Sequence, residues 1–112
     1  MSASDRPTVA GIVDAALVRT HQAMRLAGAR RDRGQLTDAE WTAAMARLYT
    51  RRARWWAVLD RATRADHRVH TVYIRAVLLA CSEADRDAWH WTEQARTTTA
   101  RTSPASHRVE AG

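Results

Sequence analysis

The sequence predicts an all-α protein, a single-domain bundle of about four helices, and three observations carry that prediction. Breakers are sparse: after Gly11, Gly28 and Gly34 there is no Gly or Pro until Pro104, fewer than strand-and-turn architectures need. Apolar residues recur at steps of three and four through most of the chain, the spacing of a helix face. Residues able to cap a helix precede these periodic runs. The chain has 112 residues, and a domain of that size buries about two-thirds of its unfolded surface, enough for one modest core. A large multi-domain enzyme architecture is therefore not expected.

The first predicted helix covers 8–32. Val9, Ile12, Val13, Ala16, Thr20, Ala23, Met24 and Ala27 share one face, while Asp14, Arg19, Gln22 and Arg25 fall elsewhere. Pro7 is tolerated near its start, and Gly34 is its expected stop, with Arg30, Arg31 and Arg33 complementing the negative helix end. The next start is the clearest local signal. Thr37 caps, Glu40 three residues on completes a capping box, and Leu36 with Trp41 forms a hydrophobic staple.

From Asp38 a seam runs Trp41, Met45, Leu48, Arg52, Trp55, Leu59, Ala62, Asp66, Val69, Tyr73, Ala76, Ala80 in alternating steps of three and four. Unbroken, it would make 38–81 one long helix. The polar seam positions Arg52 and Asp66 and the length of such a helix favour a turn near Thr63 to His67, giving helices over 38–64 and 66–81. Ser82 followed by Asp85 resembles a further cap, so a fourth helix is predicted over 83–98 with Ala84, Ala88, Trp91 and Ala95 inward. Residues 1–7 are expected to be a flexible N-terminus, 8–98 the helical domain and 99–112 a disordered tail rich in Thr, Ser and Ala.

The net charge is +6, and every basic residue is Arg; Lys, Asn and Phe are absent. Since those three are encoded by AT-rich codons, the pattern points to a GC-rich genome, as in many bacteria, and discounts the Arg content as a sign of function. An excess of base over acid is not explained that way. From Arg47 to Arg68 there are seven Arg against two Asp, the densest basic block and the best candidate for a surface that meets a polyanion. On a helix, Arg47, Arg51, Arg54, Arg61 and Arg68 follow offsets of 4, 3, 7 and 7, placing them on one side away from Trp41, Leu48, Trp55 and Leu59. Such a ridge suits a phosphate backbone. No zinc-finger spacing, RNA-recognition aromatic signature or helix-turn-helix turn accompanies it.

Of the five Trp, Trp41, Trp55 and Trp91 are expected in the core. Trp56, one residue off the seam, and Trp89, opposite Trp91, are candidates for a protein interface, either a homodimer or a contact with an acidic protein partner. His67 and His70, and Asp87 and His90, share helix faces in pairs, too few for a metal site, and no Glu-x-x-His occurs. Cys81 sits in an apolar run where a thiol is inert, and no phosphate loop, nucleophile elbow or Cys-x-x-Cys is present. The expectation is therefore a non-enzymatic protein without a metal or cofactor and with no small-molecule substrate indicated. Met1 to Asp5 lacks a signal-peptide pattern, and Val69 to Cys81 is too short and too interrupted to span a bilayer, so a soluble cytoplasmic protein is expected. Nucleic-acid binding through the Arg ridge is the leading expectation for function, and a helical protein–protein interaction module is the alternative.

Overall fold

The structure, a computed structural model, describes residues 6–102. It contains three α-helices, α1 (Val9–Asp32), α2 (Asp38–Ala65) and α3 (Thr71–Thr102), and no strand among the described residues. The all-α class is as predicted, with three helices in place of four.

Local chemistry accounts for the boundaries. Thr8 Oγ1 accepts the Gly11 N–H at 2.9 Å and opens α1. Past its end the Gly34 N–H donates to the Arg31 carbonyl and the Gln35 N–H to the Arg30 carbonyl, both at 2.9 Å. This Schellman closure needs a left-handed residue, and Gly34 supplies it with φ 72°. The capping box at α2 is present in both halves: Thr37 Oγ1 accepts from the Glu40 N–H at 3.1 Å, and Glu40 Oε1 accepts from the Thr37 N–H at 2.9 Å.

A turn does interrupt 38–81, but it lies at 66–70, so the helix expected from residue 66 begins only at Thr71. Thr63, expected in that turn, lies within α2. Its hydroxyl bonds back to the Leu59 carbonyl at 2.7 Å inside α2. Asp66 ends α2 with extended backbone (ψ 107°), and its carboxylate accepts the Arg68 N–H at 3.0 Å, a local bond that competes with helix. The side chain that opens α3 is His70, whose Nδ1 accepts the Val72 N–H at 3.0 Å.

The predicted boundary at Ser82 does not exist, because α3 runs through it to Thr102. Val77, Ala80, Ala84, Ala88, Trp91 and Ala95 stay in helical phase across Ser82, so a break there would rotate half of the inner face away from α2. The helix also continues past 98 into the first four residues expected to be tail; residues 1–5 and 103–112 lie outside the described residues.

Both α1 and α3 pack along α2, and their backbones do not approach each other. The molecule is consequently flat and long, 67 × 28 × 17 Å, with a radius of gyration of 18.7 Å against about 13 Å for a compact domain of 100 residues. Its core is small-sided. The buried apolar residues are Val13, Ala16, Ala27, Met45, Ala53 and Ala84. The buried polar ones are Thr20, Thr42 and Thr63, and each hydroxyl bonds to a carbonyl of its own helix. Val9 and Ile12, placed on the inner face of α1 by periodicity, are largely exposed.

All three helices meet at Trp41. The Arg31 guanidinium of α1 lies 4.0 Å from the centre of its ring, while also donating to Asp38 through Nε and Nη2 at 3.1 and 3.0 Å. From α3, Trp91 meets the same indole edge-on at 5.1 Å and stacks on Tyr49 at 5.6 Å. The Trp41 Nε1–H is buried without a hydrogen-bond partner, so packing holds the ring there against a polar penalty. Urea unfolding should therefore show Trp41→Ala losing about 2–4 kcal/mol. Trp41→Phe, which keeps an aromatic ring and removes the unpaired donor, should lose under about 1.5 kcal/mol. Equal losses would mean that the indole N–H is satisfied.

Candidate nucleic-acid interface

Because α2 is packed by one helix on each of two sides, a third side is left to solvent. Toward α3 it presents Trp41, Tyr49 and Arg52, the last bonded to Asp87 at 3.0 Å. Beside α1 it contributes Tyr49, Arg52 and Trp56 to a cleft of about 370 Å³ completed by Leu17, His21, Met24 and Asp87. The outer side carries Arg47, Arg51, Arg54 and Arg61, all exposed.

The carboxylates that could neutralise this row are engaged elsewhere. Asp60 is bonded by Arg64 at 3.0 Å, Asp66 by Arg68, Asp87 by Arg52 and Glu93 by Arg96. Glu40 is held by the backbone of Thr37. Among the described residues none of Arg47, Arg51, Arg54 and Arg61 forms an ion pair. Arg68 stands apart from them. The helical offset that placed it on the ridge assumes a helix at residue 68, whereas α2 stops at Ala65 and Arg68 lies in the following turn. There its Nε and Nη2 fork the two Asp66 oxygens at 3.0 and 3.1 Å, and the hydrogen bond and charge of Asp66 push its pKa up further.

Two surface depressions adjoin the row. Arg51, Arg54, Trp55 and Val58 line a shallow one of about 360 Å³. A second, of about 480 Å³, lies between α1 and α2 and is lined by Leu26, Ala27 and Arg30 of α1 and by Glu40, Arg47, Leu48 and Arg51 of α2. Trp55 is thus beside the Arg row and half-buried, not in the core where the seam placed it. The reason is helical drift. A strict seven-residue repeat rotates by about 20° per heptad on a straight helix, so Trp55, two heptads beyond Trp41, has turned by about 40° toward the outer side.

Of the candidate interface aromatics, Trp89 is 67% exposed, whereas Trp56 is half-buried in the cleft between α1 and α2. These two do not share a surface: Trp56 faces inward and Trp89 lies on the solvent side of α3. Trp41 and Trp91 are packed together as expected. No three His, Cys, Asp or Glu side chains among the described residues come together as a metal site, and no helix there is long and apolar enough to cross a membrane. His90 edges onto Trp91 at 6.0 Å. Burial, with the Asp85 and Asp60 charges, pushes the Cys81 thiol up, which disfavours the thiolate.

Compared with protein-family models, with curated proteins and with solved structures, the chain matches none.

Two carboxylates tie the ends of α2 to pH. The backbone N–H of Thr37, then its hydroxyl, hold Glu40 below its ordinary pKa, with Arg30 adding to the effect. The Arg68 side chain, then its N–H, do the same for Asp66. A pKa lowered by folding contributes stability above the unfolded-state value and loses it as pH falls through the folded one. The melting temperature should therefore fall as pH drops below about 4.5, and Glu40→Gln with Asp66→Asn should flatten that fall. A double variant with the wild-type acid dependence would show that these carboxylates are not linked to folding.

Proposed function

We propose that the protein binds nucleic acid through the phosphate backbone, with Arg47, Arg51, Arg54 and Arg61 as the contacting groups. The observation that supports this reading is that, among the described residues, those four exposed guanidiniums have no carboxylate partner, while the other two Arg of α2, Arg52 and Arg64, each have one. A guanidinium already forked to a carboxylate has little to gain from a phosphate; an unpaired one gains a charge-assisted bidentate bond. From Arg47 to Arg61 the row rises about 21 Å along the helix, comparable to about six nucleotide steps of duplex.

Contact through phosphates also suits the chemistry of the face. It offers cations and one aromatic, and few groups able to read base edges, so affinity would exceed sequence preference. Trp55, which lines one depression with Arg51 and Arg54, adds a ring on which an unpaired base can stack. The protein–protein alternative has separate support in the apolar outer surface of α3, a different face from the Arg row.

Binding measured against salt tests the reading. Neutralising four phosphates gives a slope of log K on log salt of about −3.6 for duplex DNA, and each Arg→Gln change in the row should reduce it by about 0.9. Arg64→Gln and Arg68→Gln, whose guanidiniums are already paired, should leave both affinity and slope nearly unchanged. Trp55→Ala should weaken single-stranded more than duplex binding. Absence of binding at low salt, or equal losses from the row and from the paired Arg, would overturn the proposal.

A further inference from the structure

The side of α3 turned away from α2 carries a second repeat. Arg75, Leu79, Ser82, Arg86, Trp89 and Glu93 are spaced 4, 3, 4, 3, 4 and fall within an arc of about 80°, opposite the inner face of Ala84, Ala88 and Trp91. The backbone of α1 does not reach α3, so no other helix among the described residues covers this stripe. Leu79 is 63% and Trp89 67% exposed, large apolar side chains that water alone would surround. Arg75 and Arg86 have no ion pair among the described residues.

We infer that this face binds a second copy of the chain, α3 against α3, in antiparallel orientation. The order of charges decides the occupant and the direction. The stripe is symmetric about Ala84: reversed on itself, Arg75 meets Glu93 of the second copy, Leu79 meets Trp89, and Ser82 meets Arg86, each layer occurring twice as a two-fold axis requires. These six positions are the a and d positions of one heptad series, and an antiparallel pair matches a with d. Parallel pairing would set Arg75, Arg86 and Glu93 each against its own copy, three like-charge layers. In the antiparallel pair the small Ser82 leaves room for the Arg86 side chain beside it. The exposed carboxylates Glu83 and Asp85, adjacent to the central layers, neutralise the two guanidiniums. Glu93 is already bonded by Arg96 through Oε1 at 3.1 Å, and its other oxygen is available to Arg75.

A charge swap tests partner and register together. Sedimentation equilibrium on the full chain should return twice the 12.6 kDa protomer mass at micromolar concentration. Arg75→Glu alone and Glu93→Arg alone should each weaken the dimer about tenfold or more, the double change should restore it to within about threefold, and Trp89→Ala should weaken it as much as either. All three residues lie on the side away from α2, so circular dichroism should show helix content unchanged. A wild-type monomer throughout the concentration range would overturn the inference. So would a dimer indifferent to Arg75→Glu and Trp89→Ala, and a double variant no tighter than the singles would overturn the antiparallel register. These outcomes are independent of nucleic-acid binding, which is measured on a different helix face.

Discussion

The packing around Trp41 is the constraint from which the rest of the architecture follows. One indole at the start of α2 takes a guanidinium from α1 and an aromatic edge from α3, and the capping box fixes the backbone turn that presents it. With both neighbours attached to α2 and not to each other, no central cavity has to be filled by large side chains. Small residues suffice where helices touch, which is why, among the described residues, Ala dominates the buried set and Val13 is the one larger side chain that is almost fully covered. The same arrangement leaves much apolar surface outside. A flat layer of three helices has two broad faces and little interior, so Leu26, Val72, Leu79 and Trp89 remain more than half exposed.

Local signals were legible in the sequence wherever one or two residues determine the geometry. Thr37 with Glu40 and the left-handed Gly34 mark α1's end and α2's start, because a cap or a positive φ is a short-range requirement that few residues meet. Ser82 and Asp85 look the same in one dimension, yet no boundary forms there. A cap-like pair is effective only where the helix has a reason to stop, and the inner face of α3 continues in phase past Ser82. Conversely, His70 opens α3 without resembling a usual cap, since an imidazole accepts through Nδ1 only when its ring is turned toward the backbone. The candidate site was readable in part for a similar reason. Helical phase is enough to group Arg47, Arg51, Arg54 and Arg61, but which carboxylates they lack is a matter of tertiary pairing, as is the removal of Arg68 to the turn. A heptad seam places Trp55 in the core only if the repeat keeps one phase, whereas on a straight helix it drifts by about 20° per heptad and carries Trp55 outward.

Charge placement links these features to the proposed function. The carboxylates around α2 serve the fold: Asp38 and Asp87 join helices, Asp60 and Asp66 hold Arg within one segment, and Glu40 completes a cap. Within α2, Arg52 and Arg64 are bonded by carboxylates while, among the described residues, Arg47, Arg51, Arg54 and Arg61 are not, so positive charge is concentrated on the outer side of that helix. Long-range attraction to a polyanion depends on that localisation more than on the total, because charges separated by more than about 8–10 Å are screened from one another at physiological salt. On this reading α2 supports both the architecture and the binding surface, with different sides of one helix assigned to each.

Arginine-selective chemical labelling, read residue by residue with mass spectrometry in the presence and absence of DNA, tests that division of α2 most directly. In the free protein Arg47, Arg51, Arg54 and Arg61 should label faster than the carboxylate-bonded Arg31, Arg52, Arg64 and Arg68, and DNA should protect those same four first. Protection spread evenly over all Arg, or concentrated on residues already paired with carboxylates, would contradict the assignment of the outer side of α2 to a polyanion.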